Sequence, residues 1–469
     1  MTRDFVASPD QLLAELEQLL SGAGPSRRLV SVTAVVDVAD PCAAVFGARL
    51  AADRWFCWEE PDRDGFALAT VGSVHEAVSR GPGRFGEVAS QCSRLVRDRI
   101  CAEPSDLPAG AGPVWVGGFA FAPDGGREAT WSSFAPGSMV MPELSLHRRD
   151  GRTLLTVCAL GGPEADRTRS LARLRSRLGA LTARELPLAD PHPSELSAIA
   201  SAAPPHSYER AVASAVSKIR AEAAEKVVLA REVTVTSPRA HDAAALFGTL
   251  RAAFPSCFCF CCGTPEAAFL GASPELLVRR DGASAATVAL AGSARRSADP
   301  AVDDHLGEQL RGSAKDRGEH EIVVRRIERA LRPHAVWVEA GANPSVIRVA
   351  NIQHLATPIR AQLAEPLSAI ELAGLLHPTP AVGGEPRDAA LAAIEELEPL
   401  DRGWYAGPVG WMDATEDGEF CVALRSALLR DRVAHLFAGA GIVADSEPAS
   451  ELAETELKLD ALLPLLVGG

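Results

Sequence analysis

The sequence predicts an α+β protein of two layers, in which large and mainly antiparallel sheets are flanked by helices. Two observations carry this reading. Stretches that alternate apolar and polar residues, such as KVVLAREVTVTS, are interspersed irregularly with stretches of helical periodicity, so the regular strand–helix repeat of a parallel sheet is missing. The apolar fraction of 47% over 469 residues is that of a globular chain with a sizeable core.

The elements follow in order. Helix DQLLAELEQLL and strands LVSVTAVVDV and VWVGGFAFAP lie in the first part, where nothing specifies chemistry. Residues 184 to 206, rich in Pro, Ser and Ala, read as a connection over the surface. They separate an N-terminal portion, 1–206, from a second portion, 207–469, of one catalytic domain. From Ser207 the pattern sharpens: Val212, Val216, Ile219 and Ala223 recur at helical spacing, and a strand opens at Lys226. Further strands are expected at ASAATVALAG, ALRSALL and VAHLFAGAGIV, and helices at HEIVVRRIERAL and PRDAALAAIEEL. DATEDGEF lacks the twelfth-position Glu of a calcium loop, Leu424 standing there, and reads as a hairpin turn at Asp417-Gly418.

Charge narrows the partners. A net charge of −14 argues against nucleic acid or an anionic membrane surface, so an anionic substrate must be held by local cations. The opening MTRDFVASPDQLL has no basic-then-apolar signal pattern and no apolar run approaches roughly 18 residues, which leads us to expect a cytoplasmic monomer with no membrane contact. Of ten cysteines, Cys257, Cys259 and Cys261 fall on one side of a strand without CxxC spacing or histidine, and read as buried reduced thiols.

The chemistry sits in two acidic segments. GAGIVADSEPASELAETELK, 439–458, has glycines that fit a dinucleotide fingerprint, but the helix begins only at Ser446-Glu447-Pro448, too late to cradle a pyrophosphate. At about 100° per residue, Glu447, Glu451, Glu454 and Lys458 share an arc of roughly 60°, with Leu452, Leu459, Leu463 and Leu466 on another face. SAKDRGEHEIVVRRI, 313–327, carries Asp316, Glu319 and His320 on its polar side. Each helix alone reads most simply as a solvated charged face. Together, and without a Cys or His ligand cluster, they suit a hard cation that takes oxygen ligands, which points to Mg²⁺.

These residues resemble the chorismate-utilising enzymes, the family that includes anthranilate synthase component I. The matching segments are EKVVLAR (225–231), GASPELL (271–277), ALAGSARR (289–296), SAKDRGEHEIVV (313–324), IQHLATPI (352–359), HPTPAVGGEP (377–386), DRGWYAGPVGW (401–411), DGEFCVALRSALL (417–429) and the glycine-acid stretch. They cover most of 207–466 in consistent order, whereas 1–206 match loosely.

The resemblance implies a deep site for chorismate between antiparallel sheets. It implies that Glu319 and Glu454 ligate Mg²⁺ with a substrate carboxylate, and that Asp316 and Glu451 stand behind them. Asp316 departs from the longer Glu of relatives. Aminating relatives carry Gln at the position of Lys226, or a lysine nucleophile at that of Ala291. Lys226 with Ala291 therefore resembles the water-using branch, isochorismate synthase, with salicylate synthase the alternative. In that chemistry water adds at C2 while the C4 hydroxyl leaves, so Lys226 is implied as base and Glu275 as acid. Lys226 must then be partly neutral and Glu275 protonated. Arg425 and Lys458 suit the second substrate carboxylate, helped by Tyr405 and the backbone near Gly441. His354 and Thr357 would lie beside the reacting hydroxyls, and Gly292-Ser293 would meet the substrate through the backbone. A silent binding subunit is disfavoured, since every expected catalytic position is filled.

Overall fold

The computed structural model describes residues 6–24, 26–181, 185–188, 197–349 and 352–467. Two large sheets form its frame. One has thirteen strands and runs from the edge strand Ala198–Ser201 through Lys226–Thr236, Val433–Ile442 and Ser426–Arg430 to Leu29–Val36 and Ile100–Ala102. The other, of ten strands, runs from Ala335–Ala340 through Ile352–Leu363 and Ser284–Arg295 to His75–Ser79. Among the described residues the pairings are antiparallel, apart from the short parallel pair of Leu29–Val36 with Ile100–Ala102.

Strands from both portions of the chain alternate in both sheets. Trp55–Glu60 pairs with Phe258–Gly263 in the first, and Val114–Phe119 with Pro408–Asp413 in the second. Neither portion could complete a sheet without the other. One apolar cluster fills the space between the sheets, taking Trp58, Leu229 and Phe269 from one and Val116, Ala289 and Phe420 from the other. Trp131 is central, its ring set against Phe134, Phe269 and Phe437. Truncation of such a buried aromatic to Ala costs about 3–5 kcal/mol. A second cluster covers the outer face of the thirteen-stranded sheet beneath helices Pro9–Gly22, Glu164–Ala180 and Ala243–Ala253. There Cys257, Cys259 and Cys261 lie buried and unbridged, as their alternation requires.

Three expectations need correction. Where a surface connection was read, the described residues include the strand Ala198–Ser201, whose side chains are all exposed; being an edge strand it needs no apolar alternation. Residues 182–184 and 189–196 of that connection lie outside the described residues. The C-terminal helix stops at Leu459, and Leu463 and Leu466 belong to a separate short helix, Leu463–Val467. Its buried side is Glu451, Thr455 and Leu459 rather than a leucine face. Among the described residues no helix is long and apolar enough to cross a membrane.

Candidate active site

Ser313 caps helix Ala314–Leu331, its Oγ accepting from Asp316 N at 3.2 Å, and this start fixes which residues face inward. Asp316 and Glu319 emerge on the flank toward helix Pro448–Leu459, which opens at Pro448 and presents Glu451, Glu454 and Lys458 to the same space. Between these helices and the two sheets lies a cavity of about 970 Å³, measured to its open mouth.

The acidic wall is neutralised lysine by lysine. Lys226 Nζ lies 2.7 Å from Glu319 Oε1, Lys458 Nζ 2.7 Å from Glu454 Oε1, and Lys315 Nζ 3.1 Å from Glu451 Oε1. Lys226 opens its strand fully buried, and its one salt bridge among the described residues is to that carboxylate. Space for the pair comes from Gly441 on the neighbouring strand. A Cβ there would stand 2.5 Å from Glu319 Oε1 and 2.9 Å from Lys226 Cε. The glycine strand thus makes room for two side chains, and Gly439 and Gly441 also line the cavity. Asp316 and Glu451 both have raised pKa values, from burial first and then, in Glu451, from the charge of Glu454.

Glu275 follows Pro274 at the joint between strands Ala268–Ser273 and Leu276–Asp281. Its carboxyl is buried and its pKa is pushed up to about 8 by that burial, against the opposing pull of Lys226 and the Thr379 hydroxyl 3.5 Å from Oε1. It therefore holds a proton at neutral pH.

The remaining wall presents cations and a neutral imidazole. His354 Nδ1 faces the Gly292 carbonyl at 3.1 Å and Ser293 Oγ at 3.2 Å, while Arg425 Nη2 donates to Nε2 at 3.1 Å. This network assigns the proton to Nδ1. Burial, then the Arg425 charge, pull the ring's pKa down to about 3 and keep it neutral. Arg425 sits at φ +47°, a left-handed conformation that costs a side-chain-bearing residue about 1 kcal/mol or more. Its Nη1 is buried with no hydrogen-bond partner among the described residues. A guanidinium held this way, in the cavity lining, can receive an anion. Lys458 Nζ also donates to Gly439 O at 2.8 Å, which anchors a second cation on the same side. Gly292, at φ +74°, passes Asp316 so closely that a Cβ would lie 3.1 Å from Asp316 Cβ, and the strand bulges between Ala291 and Ser293.

Of the expected residues, Lys226 is joined to the cavity through Glu319, and Glu275, Gly292, Ser293, Asp316, Glu319, His354, Tyr405, Arg425, Gly441, Glu451, Glu454 and Lys458 line it directly. Thr357 does not. It alternates onto the far face of its strand, where His320 Nε2 meets its hydroxyl at 2.7 Å. His320, expected on the polar side of its helix, is consequently buried. Glu447 is exposed at the helix N-cap, outside the cavity. Lys315, Thr379 and Arg402 were missed. Lys315 and Arg402 stand inside motifs already singled out, beside Asp316 and three residues before Tyr405, so the signal was present. Thr379 stands in HPTPAVGGEP as well, but its bearing on the site shows only through contact with Glu275.

Among the described residues no three His, Cys, Asp or Glu side chains converge as a ready metal cage. The donor set still fits a hard cation: four carboxylates on one wall, with no sulfur or imidazole among them, balanced by three lysines.

A buried protonated carboxyl, a lysine, a carboxylate wall and a guanidinium with one open nitrogen, gathered in one cavity, suit acid–base chemistry on a small anion. The family described as chorismate binding enzyme matches residues 14–467, and the chain belongs to it. A protein of Pseudomonas aeruginosa named salicylate biosynthesis isochorismate synthase is 40% identical over 451 residues, covering 94% of this chain and 91% of the relative. Isochorismate synthase MenF of Bacillus subtilis is 35% identical, covering 94% of each. The solved structure of MenF, the menaquinone-specific isochorismate synthase of Escherichia coli, covers 98% of this chain and 100% of its own at TM-score 0.81 and 27% identity. Anthranilate synthase component I of Streptococcus pneumoniae, at 19% identity and TM-score 0.66 over 85% and 92% of the two chains, shares the fold.

Proposed function

We propose that the chain is an isochorismate synthase, converting chorismate to isochorismate. The observation that carries this reading is one cavity lined by a protonated Glu275 and by Glu319, which reaches the buried Lys226 behind it, with the apolar Ala291 where an aminating relative would hold a lysine. The names of the full-length relatives support it.

In the reaction, water oxygen bonds to C2 as its proton passes to Lys226 Nζ, both ring double bonds shift (C1=C2 to C1=C6 and C5=C6 to C4=C5), and the C4–O bond breaks as Glu275 gives its proton to the leaving hydroxyl. One water enters and one leaves, so atoms balance. Reprotonation of Glu275 and deprotonation of Lys226 close the cycle, and the same groups in exchanged roles run the reverse. Arg425 Nη1 and Lys458 hold a substrate carboxylate, and neutral His354, fixed by Gly292 O, offers a polar face without adding charge.

Glu319 and Glu454 would hold Mg²⁺, with Asp316 and Glu451 behind them, and the ion would supply charge for the other substrate carboxylate while engaging the anion that now faces Lys226. Purified protein given chorismate and Mg²⁺, with products separated by chromatography, tests the reading. Isochorismate is expected. Chorismate left unchanged, or converted to an aminated ring when ammonium is present, would reject it.

A further inference from the structure

In the cavity wall lies a buried ion pair that the proton transfers do not touch. We propose that Arg402 and Glu398 are positioning residues that set the spacing between Lys226 and Glu275, an inference that rests on the acid–base reading above. The side chains are 3% and 2% exposed. Arg402 Nε donates to Glu398 Oε2 at 2.9 Å and Nη2 to Oε1, so the pair is bidentate. The same guanidinium reaches two carbonyls: Nη1 to Val382 O at 2.9 Å and Nη2 to Val228 O at 2.8 Å. Glu398 Oε1 in turn accepts from Ala230 N at 2.6 Å.

These contacts join two segments. Val228 and Ala230 lie two and four residues beyond Lys226 on one strand. Val382 lies three residues beyond Thr379, the residue whose hydroxyl meets Glu275. Apart from this pair, the segments meet in a short antiparallel pairing of Lys226 with Glu385 and Val227 with Gly384, with Glu225 N donating to Glu385 O at 2.7 Å and Val228 N to Gly383 O at 2.8 Å. Where that ladder ends, the planar fork adds two side-chain contacts, to Val382 O and Val228 O. Packing of the guanidinium 4.1 Å above the Phe121 ring, and donation from Tyr405 N to Arg402 O at 2.9 Å, hold the fork itself. Val228, Val382 and Arg402 itself line the cavity, so the fork acts at the cavity wall. A buried ion pair is a poor source of stability compared with apolar residues of the same volume, which fits a geometric role.

The test compares wild type, the double variant Arg402→Met/Glu398→Gln, which leaves no lone buried charge, and Arg402→Lys, which keeps the pair but cannot fork to both carbonyls. Turnover is normalised to the folded fraction from near-ultraviolet circular dichroism. A shift of about 1 Å between proton-handling groups should lower kcat about 10²-fold in the double variant, with KM within about threefold because Arg425 and Lys458 still anchor the substrate. Arg402→Lys should lose at least about tenfold in kcat, and it decides the matter if the double variant does not fold. Wild-type kcat per folded molecule, or a loss confined to KM, overturns the proposal. Wild type serves as the divider: no chorismate turnover there defeats the acid–base reading itself, whereas an active double variant beside an active wild type defeats only the positioning role.

Discussion

The ammonium of Lys226 lies 2.7 Å from Glu319 Oε1, with Gly441 leaving the space in which the two meet. A proposed base and a proposed metal ligand therefore share one contact. A carboxylate engaged with Lys226 is not fully free for a metal, and a divalent cation on Glu319 would compete with that contact, so metal binding and the placement of Lys226 are coupled through one carboxylate.

The first prediction follows from that coupling. Removal of divalent cations with a chelator should abolish turnover, and Mg²⁺ should restore it. Glu454→Gln should lose Mg²⁺ binding, read by calorimetry on the protein alone or with chorismate, together with activity. Full activity in excess chelator would remove the metal from the scheme.

Lys226→Ala and Glu275→Gln should each reduce kcat by about 10²–10⁴-fold while KM changes little, because each acts on a proton in flight rather than on substrate binding. Steady-state kinetics with matched circular dichroism spectra check this. Near-normal kcat in Lys226→Ala would end its assignment as base.

Glu275 gives a pH prediction with a definite sign. Its pKa is raised from 4.5 to about 8 on folding, so the folded chain binds a proton that the unfolded chain releases. Stability from this group is full below about pH 4.5 and is lost as pH rises through about 8. In Glu275→Gln that decline disappears, and the Tm of the variant should gain on wild type between about pH 5 and pH 8 by the equivalent of a few kcal/mol at most. Wild-type kcat should fall over the upper part of the same range, as the acid ionises. A Tm difference independent of pH would show that Glu275 is not held protonated.

Gly441→Ala tests the shared contact directly. Neither Glu319 nor Lys226 can stay in place with a Cβ 2.5 Å from one and 2.9 Å from the other. The variant should fold, at a cost of about 1–3 kcal/mol, and lose at least tenfold in kcat/KM. Wild-type kinetics would mean that the two side chains are not needed in their present positions.

Much of this site was legible before any coordinates. Glu319, Glu451 and Glu454 share helical arcs that periodicity gives directly, and the strand opening at Lys226 is set by its alternation. What periodicity could not give is the partner across space. Thr357 stands in the same motif as His354, but three residues along a strand reverse the face, and only pairing with His320 shows where it points. Glu451 looks like a surface acid in a helical wheel, yet it is buried because Lys315, from another helix, covers its charge. The interleaving of 1–206 with 207–469 was likewise invisible, since strand partners such as Trp58 and Phe260 lie far apart in sequence.

The last prediction concerns what happens after water adds. With Ala291 in the cavity wall and no lysine nucleophile there, ammonium should give no aminated product. Elimination of pyruvate from isochorismate requires the enolpyruvyl group to turn toward a ring hydrogen, and the walls that limit such a turn are His354, Tyr405 and the close-packed backbone at Gly292. The lone pair of neutral His354 lies on Nε2, which already accepts from Arg425 Nη2 at 3.1 Å, so it offers no ready base for that step. Isochorismate should therefore accumulate in equilibrium with chorismate, with little salicylate at neutral pH. A coupled lactate dehydrogenase assay reads pyruvate directly. Pyruvate released at the rate of chorismate loss, with no lyase added, would move the chain to the salicylate synthases.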